Sequence, residues 1–104
     1  MSDHSTPIGD LIEDAANFRD ARNWIIYHTP ANLAASISIE AAELLELFQW
    51  GRVPDTPDLA DELADVLIYA LSMASVCGLD VSTIIRRKME KNAVKYPANK
   101  GIGV

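Results

Sequence analysis

The chain has 104 residues, is 49% hydrophobic and carries a formal net charge of −6. That length supports one domain with a modest core, and that hydrophobicity excludes a chain disordered by composition. The acidity argues against nucleic acid as the main partner, which would call for a basic stripe, but it leaves room for a small anionic ligand if cations neutralise the carboxylates.

The polar segment Met1–Thr6 shows no secretory pattern and reads as a loose tail. A first helix is expected from Pro7, with Ile8, Leu11, Ile12, Ala15 and Phe18 at helical spacing, fading near Arg22 and Asn23. Asn23 is placed to cap a short turn over Trp24–Tyr27. Thr29-Pro30 is a start signal, an N-cap hydroxyl followed by proline in the first turn, for a second helix running to about Trp50, where Gly51 stops it. After a loop over residues 52–57, Thr56-Pro57 repeats the signal. The third helix then runs to Cys77, with Gly78 as its C-terminal cap. Asp80 is expected to cap a fourth helix from Val81 to Lys95, ended by Pro97, with residues 98–104 irregular.

No segment alternates with period 2, so the expectation is all-α: one domain over residues 1–104, a four-helix bundle type with short connections and antiparallel neighbours. Cys77, the single cysteine, cannot form an intrachain disulfide, which fits a reducing cytoplasmic setting, and its apolar neighbours predict burial. The apolar run over residues 66–79 falls short of the roughly 20 residues a membrane span needs, so no membrane partner is expected. The third helix is apolar on nearly every side outside its acids. It is expected to bury against a second copy, giving a homodimer or homotetramer.

Two acidic pairs carry the chemistry. Glu40-Ala-Ala-Glu43 lies on the second helix and Glu62-Leu-Ala-Asp65 on the third, each at i, i+3 and therefore on one helical face about 60° apart. Packed antiparallel, the two helices bring four carboxylates together, which a fold cannot bury without a cation. No Glu-x-x-His pair or Cys/His set is present, which argues against diiron and zinc and for Mg²⁺, with Mn²⁺ as the other oxygen-seeking choice. Such an ion keeps waters and pairs with substrate phosphates, pointing to a polyphosphate. Glu46 falls on the flank, and Tyr69 sits one turn beyond Asp65 on the acidic face.

The fourth helix supplies a complement, since Lys88, Lys91, Asn92 and Lys95 share one side and suit phosphate oxygens. Trp24, Tyr27 and His28 cluster before the second helix and Trp50 ends it, giving flat faces on which a base can stack. No Walker loop, GxGxxG or nucleophilic triad is present.

These strings resemble the all-α nucleoside triphosphate pyrophosphohydrolases of the MazG-like group. The resemblance rests on Glu40-x-x-Glu43, Glu62-x-x-Asp65, the run to Trp50, the segment Asp61 to Tyr69, Trp24-x-x-Tyr-His28-x-Pro30-x-Asn32 and the ending Lys88 to Pro97. The fuller strings are similar to a small dCTP-pyrophosphatase branch. The resemblance implies Mg²⁺-dependent hydrolysis of a deoxynucleoside triphosphate, dCTP or a modified pyrimidine first, to monophosphate and pyrophosphate. Glu40, Glu43, Glu62 and Asp65 would hold the metal, and Glu43 or Glu40 would assist the attacking water. Lys88, Asn92 and Lys95 would bind phosphates, Trp24, His28 and Trp50 would line the base pocket, and Tyr69 would meet the sugar. Two other readings stay open: a related all-α pyrophosphohydrolase acting on another substrate such as phosphoribosyl-ATP, and a non-catalytic helical module that metal holds together.

Overall fold

The computed structural model describes residues 1–98. Four helices and two short 3₁₀ turns follow one another: α1 (Ile8–Ala21), a turn at Trp24–Tyr27, α2 (Pro30–Glu46), a turn at Gln49–Gly51, α3 (Thr56–Val76) and α4 (Val81–Lys95). There is no strand among the described residues. The N-terminal tail, expected to be loose, closes a turn in which the Thr6 and Ser5 amides donate to the Ser2 carbonyl at 2.9 and 3.1 Å. Of the C-terminal tail, residues 99–104 lie outside the described residues.

Local chemistry explains the helix ends. Pro7 stands just outside α1, which begins at Ile8. Its far end is closed by Arg22, whose Nη1 donates to the Phe18 carbonyl at 2.9 Å. Asn23 makes no side-chain cap; it contributes by adopting a left-handed backbone, φ 57°, which asparagine tolerates. Thr29 caps α2 as expected, its hydroxyl accepting from the Asn32 amide at 3.2 Å with Pro30 in the first turn. That helix stops at Glu46, short of Trp50: the amides of Leu47 and Phe48 donate three residues back, to Leu44 at 3.3 Å and Leu45 at 3.0 Å, and Trp50 (φ 62°) and Gly51 (φ 74°) then turn left-handed. Arg52 then folds back to donate to the carbonyls of Glu46 at 2.8 Å and Gln49 at 3.1 Å. At α3 the cap is Asp55, not Thr56: its Oδ1 accepts from the Asp58 amide at 2.9 Å, and aspartate is the stronger N-cap of the two.

The core lies between α2 and α3, with α1 laid against α3. Leu33, Ala74 and Val81 are the buried apolar residues among those described. Cys77, expected to be buried, is exposed, because α3 ends beside it and no element among the described residues covers it. After α3 a Schellman closure forms: the Leu79 amide donates to Ala74 at 2.8 Å and the Gly78 amide to Ser75 at 3.2 Å, with Gly78 at φ 68°. Asp80 then starts α4, accepting from the Thr83 amide and hydroxyl. The bend between α3 and α4 is 102°, so α4 projects from the other three helices and the chain does not close a four-helix bundle on itself. The radius of gyration, 16.3 Å, exceeds the roughly 13 Å of a closed domain this size. No single helix among the described residues is long and apolar enough to cross a membrane.

Candidate functional site

Two facing stripes build the site. Leu33, Ser36, Glu40 and Glu43 follow one face of α2 at steps of three and four residues, and Glu62, Asp65, Tyr69 and Ser72 do the same on α3. Where the stripes meet, Glu40, Glu62 and Asp65 each offer an oxygen, and the three lie within 4.8 Å of one another. Ligands on opposite sides of an oxygen-bound divalent cation stand roughly 4–5 Å apart, so this spread suits one such ion. Oε2 of Glu40 and Oε2 of Glu62 are buried without a hydrogen-bond partner. A buried acceptor with no donor is costly, and a cation satisfies it.

The electrostatics agree. Glu40 is pushed above the ordinary carboxylate range by loss of water, then by the Glu43 carboxyl beside it and the charges of Asp65 and Glu62. Glu62 is raised by loss of water, then by the charges of Glu43, Asp65 and Asp61. Glu40 and Glu62 resist ionisation through loss of water first and the carboxyls around them second, a pairing of causes that a bound cation would offset. Glu43 stands beside the cluster and acts on both Glu40 and Glu62, but it is outside the closest three, and its side chain is more open to solvent. Glu46 is exposed on the flank.

The stripes run on from the acids into two adjoining hollows. A cavity of about 710 Å³ opens between α1 and α3, lined by Asp65, Tyr69, Trp24, His28 and Arg19 together with the apolar side chains of Leu11, Phe18 and Leu71. A second, of about 320 Å³, is lined by Trp24, Tyr27, His28, Asn32, Ser36 and Tyr69. Trp24, His28 and Tyr69 thus belong to both, with Asp65 linking the larger one to the acidic cluster. Burial, then the positive charge of Arg19, lowers the His28 pKa and keeps the imidazole neutral, and its Nδ1 is buried without a partner. Trp24 is held by a ring edge contact with Phe18, 5.7 Å between centroids, and Arg22 lies 3.4 Å over the Phe18 ring.

Other expected residues do not join this assembly within the chain. Trp50 is 93% exposed and lines neither cavity. Lys88 and Lys95 are exposed on α4 and Asn92 is half-buried there, all on the helix that leaves the others. Conversely, Arg19, Ser36 and Ser72 come to the site without having been singled out from sequence. The two serines carried a signal, small polar residues in register with the acidic stripes; Arg19 carried none, since arginine beside Phe18 reads as an ordinary surface charge. Asn32 is fixed by a bond from its Nδ2 to the Tyr27 carbonyl at 3.0 Å, which ties the first turn to α2.

An all-α scaffold that faces two carboxylate pairs across adjacent helices, next to an aromatic-lined cavity, defines a helical protein with an acidic, metal-type site. Known proteins sharpen that class. The MazG-like family profile matches residues 35–104. The dCTP pyrophosphatase 1 of Homo sapiens is 37% identical over 94 residues, covering 81% of this chain and 55% of that protein, and that of Rattus norvegicus is 34% identical with the same coverage. A crystal structure of a pyrophosphatase from Archaeoglobus fulgidus DSM 4304 superposes with a TM-score of 0.81 at 44% identity, covering 93% of this chain and 98% of that one. The chain belongs to the MazG-like family. It spans about half the length of the curated relatives it matches.

Proposed function

We propose that the protein hydrolyses a deoxynucleoside triphosphate, dCTP or a modified pyrimidine analogue first, to the monophosphate and pyrophosphate in the presence of Mg²⁺. The observation that carries this reading is the convergence of Glu40, Glu62 and Asp65, two of them with an orphaned buried oxygen, with Asp65 also lining a cavity walled by Trp24, His28 and Tyr69. The names of the relatives, dCTP pyrophosphatase and pyrophosphatase, support it.

Glu40, Glu43, Glu62 and Asp65 would hold the ion, which when bound supplies positive charge against the triphosphate and the charge that develops at the α-phosphorus. Water attacks that phosphorus, its oxygen forming the new P–O bond while the bond to the bridging oxygen breaks and pyrophosphate leaves. Glu43, beside the cluster and open to solvent, takes the water's proton; Glu40, protonated more readily than an ordinary glutamate, is the alternative acceptor. Trp24 and neutral His28 stack the base, Tyr69 meets the sugar, and Trp50 approaches the base from outside the cavity.

Lys88, Asn92 and Lys95 would contact the phosphates. Because α4 diverges from α3 by 102°, we assign that contact to an assembly, a homodimer or homotetramer, in which α4 of one copy lies over the acids of another. The exposed apolar side chains of Leu67, Ile68, Ile85 and Val94 favour such packing.

The test is a panel of dNTPs with Mg²⁺ and resolved products. Monophosphate plus pyrophosphate, lost in Glu43→Gln, is expected. Diphosphate plus phosphate, or no turnover of any triphosphate, would refute the proposal.

A further inference from the structure

Two charged side chains of α1 line the larger cavity without a task in the reaction above, the exposed Asp14 and the more covered Arg19. Arg19 lies on α1 with its side chain only 13% exposed, facing a space otherwise lined mainly by apolar and aromatic groups. Among the described residues its guanidinium makes one hydrogen bond, from Nε to Oδ1 of the exposed Asp20 at 3.0 Å. Both Nη amino groups are without a protein acceptor among the described residues. A guanidinium carries its donors in one rigid plane, and with Nε tied to Asp20 the two Nη groups remain as a fork. Neither Nη is sealed from water, so both donors are free to turn to an acceptor that enters the cavity. Its charge is also near enough to His28 to help keep that ring neutral, so the pair presents one fixed cation beside one flat face.

We propose that Arg19 is a specificity-determining residue whose two Nη groups donate to O2 and N3 of a cytosine base held against Trp24 and His28. The proposal rests on the nucleotide reading above. Stacking on an indole or imidazole accepts any base, because every base has a π-face. A planar fork is more demanding and requires two adjacent acceptors. Cytosine offers that pair on one edge. Thymine and uracil place an N3–H donor between their two carbonyls, so one arm of the fork would meet a donor. An arginine fork on a base edge discriminates by roughly ten-fold to a hundred-fold.

The experiment compares kcat/KM for dCTP and dTTP with Mg²⁺ in the wild type, Arg19→Ala and Arg19→Lys, alongside equilibrium binding of dCMP and dTMP to the same proteins. The wild type is expected to favour dCTP and dCMP. Arg19→Ala should shrink that preference ten-fold or more, chiefly through KM for dCTP, and Arg19→Lys should fail to restore it because a point charge cannot serve two coplanar acceptors. Arg19→Gln replaces the alanine variant should that one not fold. A wild type indifferent to the base, or an equal loss on both nucleotides in Arg19→Ala, overturns the proposal. If the wild type turns over no triphosphate the hydrolase reading fails, while a dCMP preference that vanishes in Arg19→Ala would still uphold the role of Arg19.

Discussion

Glu40 on α2 and Glu62 on α3 each bury Oε2 without a donor, and their carboxyls converge with that of Asp65 within 4.8 Å. Both pKa values lie above the ordinary 4.5. Between that value and the raised ones, the folded chain holds protons the unfolded chain has released, so stability falls as pH rises through the window. In EDTA, a Glu40→Gln/Glu62→Gln double variant should melt above the wild type at pH 7, with the gap closing towards pH 4.5. Mg²⁺ at a hundred times its Kd should raise the wild type by about 2.7 kcal/mol and leave the variant unmoved. Thermal melts across pH, with and without Mg²⁺, measure both effects.

The start of α3 separates two adjacent candidates. Asp55 accepts from the Asp58 amide, whereas Thr56 is already helical. Asp55→Ala should cost about 1 kcal/mol, roughly 4–8 °C in Tm, and Thr56→Ala much less. Denaturant unfolding of the two variants decides.

Trp50 is both exposed and left-handed at φ 62°. A bulky residue in that conformation costs roughly 1–2 kcal/mol, and asparagine tolerates it better. Trp50→Asn should therefore stabilise the protein by about 1 kcal/mol while raising KM for dCTP, since strain held at an exposed aromatic belongs with function. Melting curves and steady-state kinetics on one preparation show whether stability and substrate affinity move in opposite directions.

Arg22 joins the end of α1 to the aromatic wall, donating to the Phe18 carbonyl and lying over the Phe18 ring that abuts Trp24. At this exposed site the cation–π contact contributes about 0.5–1 kcal/mol. Arg22→Ala should lower stability by that order and loosen Trp24. In a Trp50→Phe background, where Trp24 is the remaining tryptophan, its fluorescence anisotropy should fall.

If α4 serves a neighbouring copy, two inactive proteins can complement each other. Glu43→Gln lacks a working acidic cluster, and Lys88→Ala/Asn92→Ala lacks the phosphate contacts. Mixed and allowed to exchange, they should recover about a quarter of wild-type activity in a dimer with two shared sites. No recovery would place α4 over its own acids.

The helix starts were legible because caps are short-range chemistry: Thr29-Pro30 and Asp80 announce α2 and α4 in a few residues. The acidic cluster was legible because helical periodicity fixes which residues share a face, and Tyr69 followed from the same arithmetic. What escaped depends on contacts between elements. The exposure of Cys77 follows from what fails to cover the end of α3, and the placement of Trp50 from two successive left-handed residues that glycine alone did not announce. Arg19 became visible only once α1 had been laid against α3, since its neighbours in sequence say nothing of the cavity it faces.

Gly78 turns the chain from α3 into α4 at φ 68°, and a Cβ there would meet nothing within 4 Å. The constraint on this residue is therefore torsional rather than steric. Lys95 lies about 25 Å along the axis from that pivot, at 1.5 Å per residue. A change of about 10° at the pivot would carry its ammonium group about 4 Å sideways, farther than a hydrogen bond is long. The helix is in effect a lever arm, and two soft torsions of one glycine calibrate where its cations come to rest.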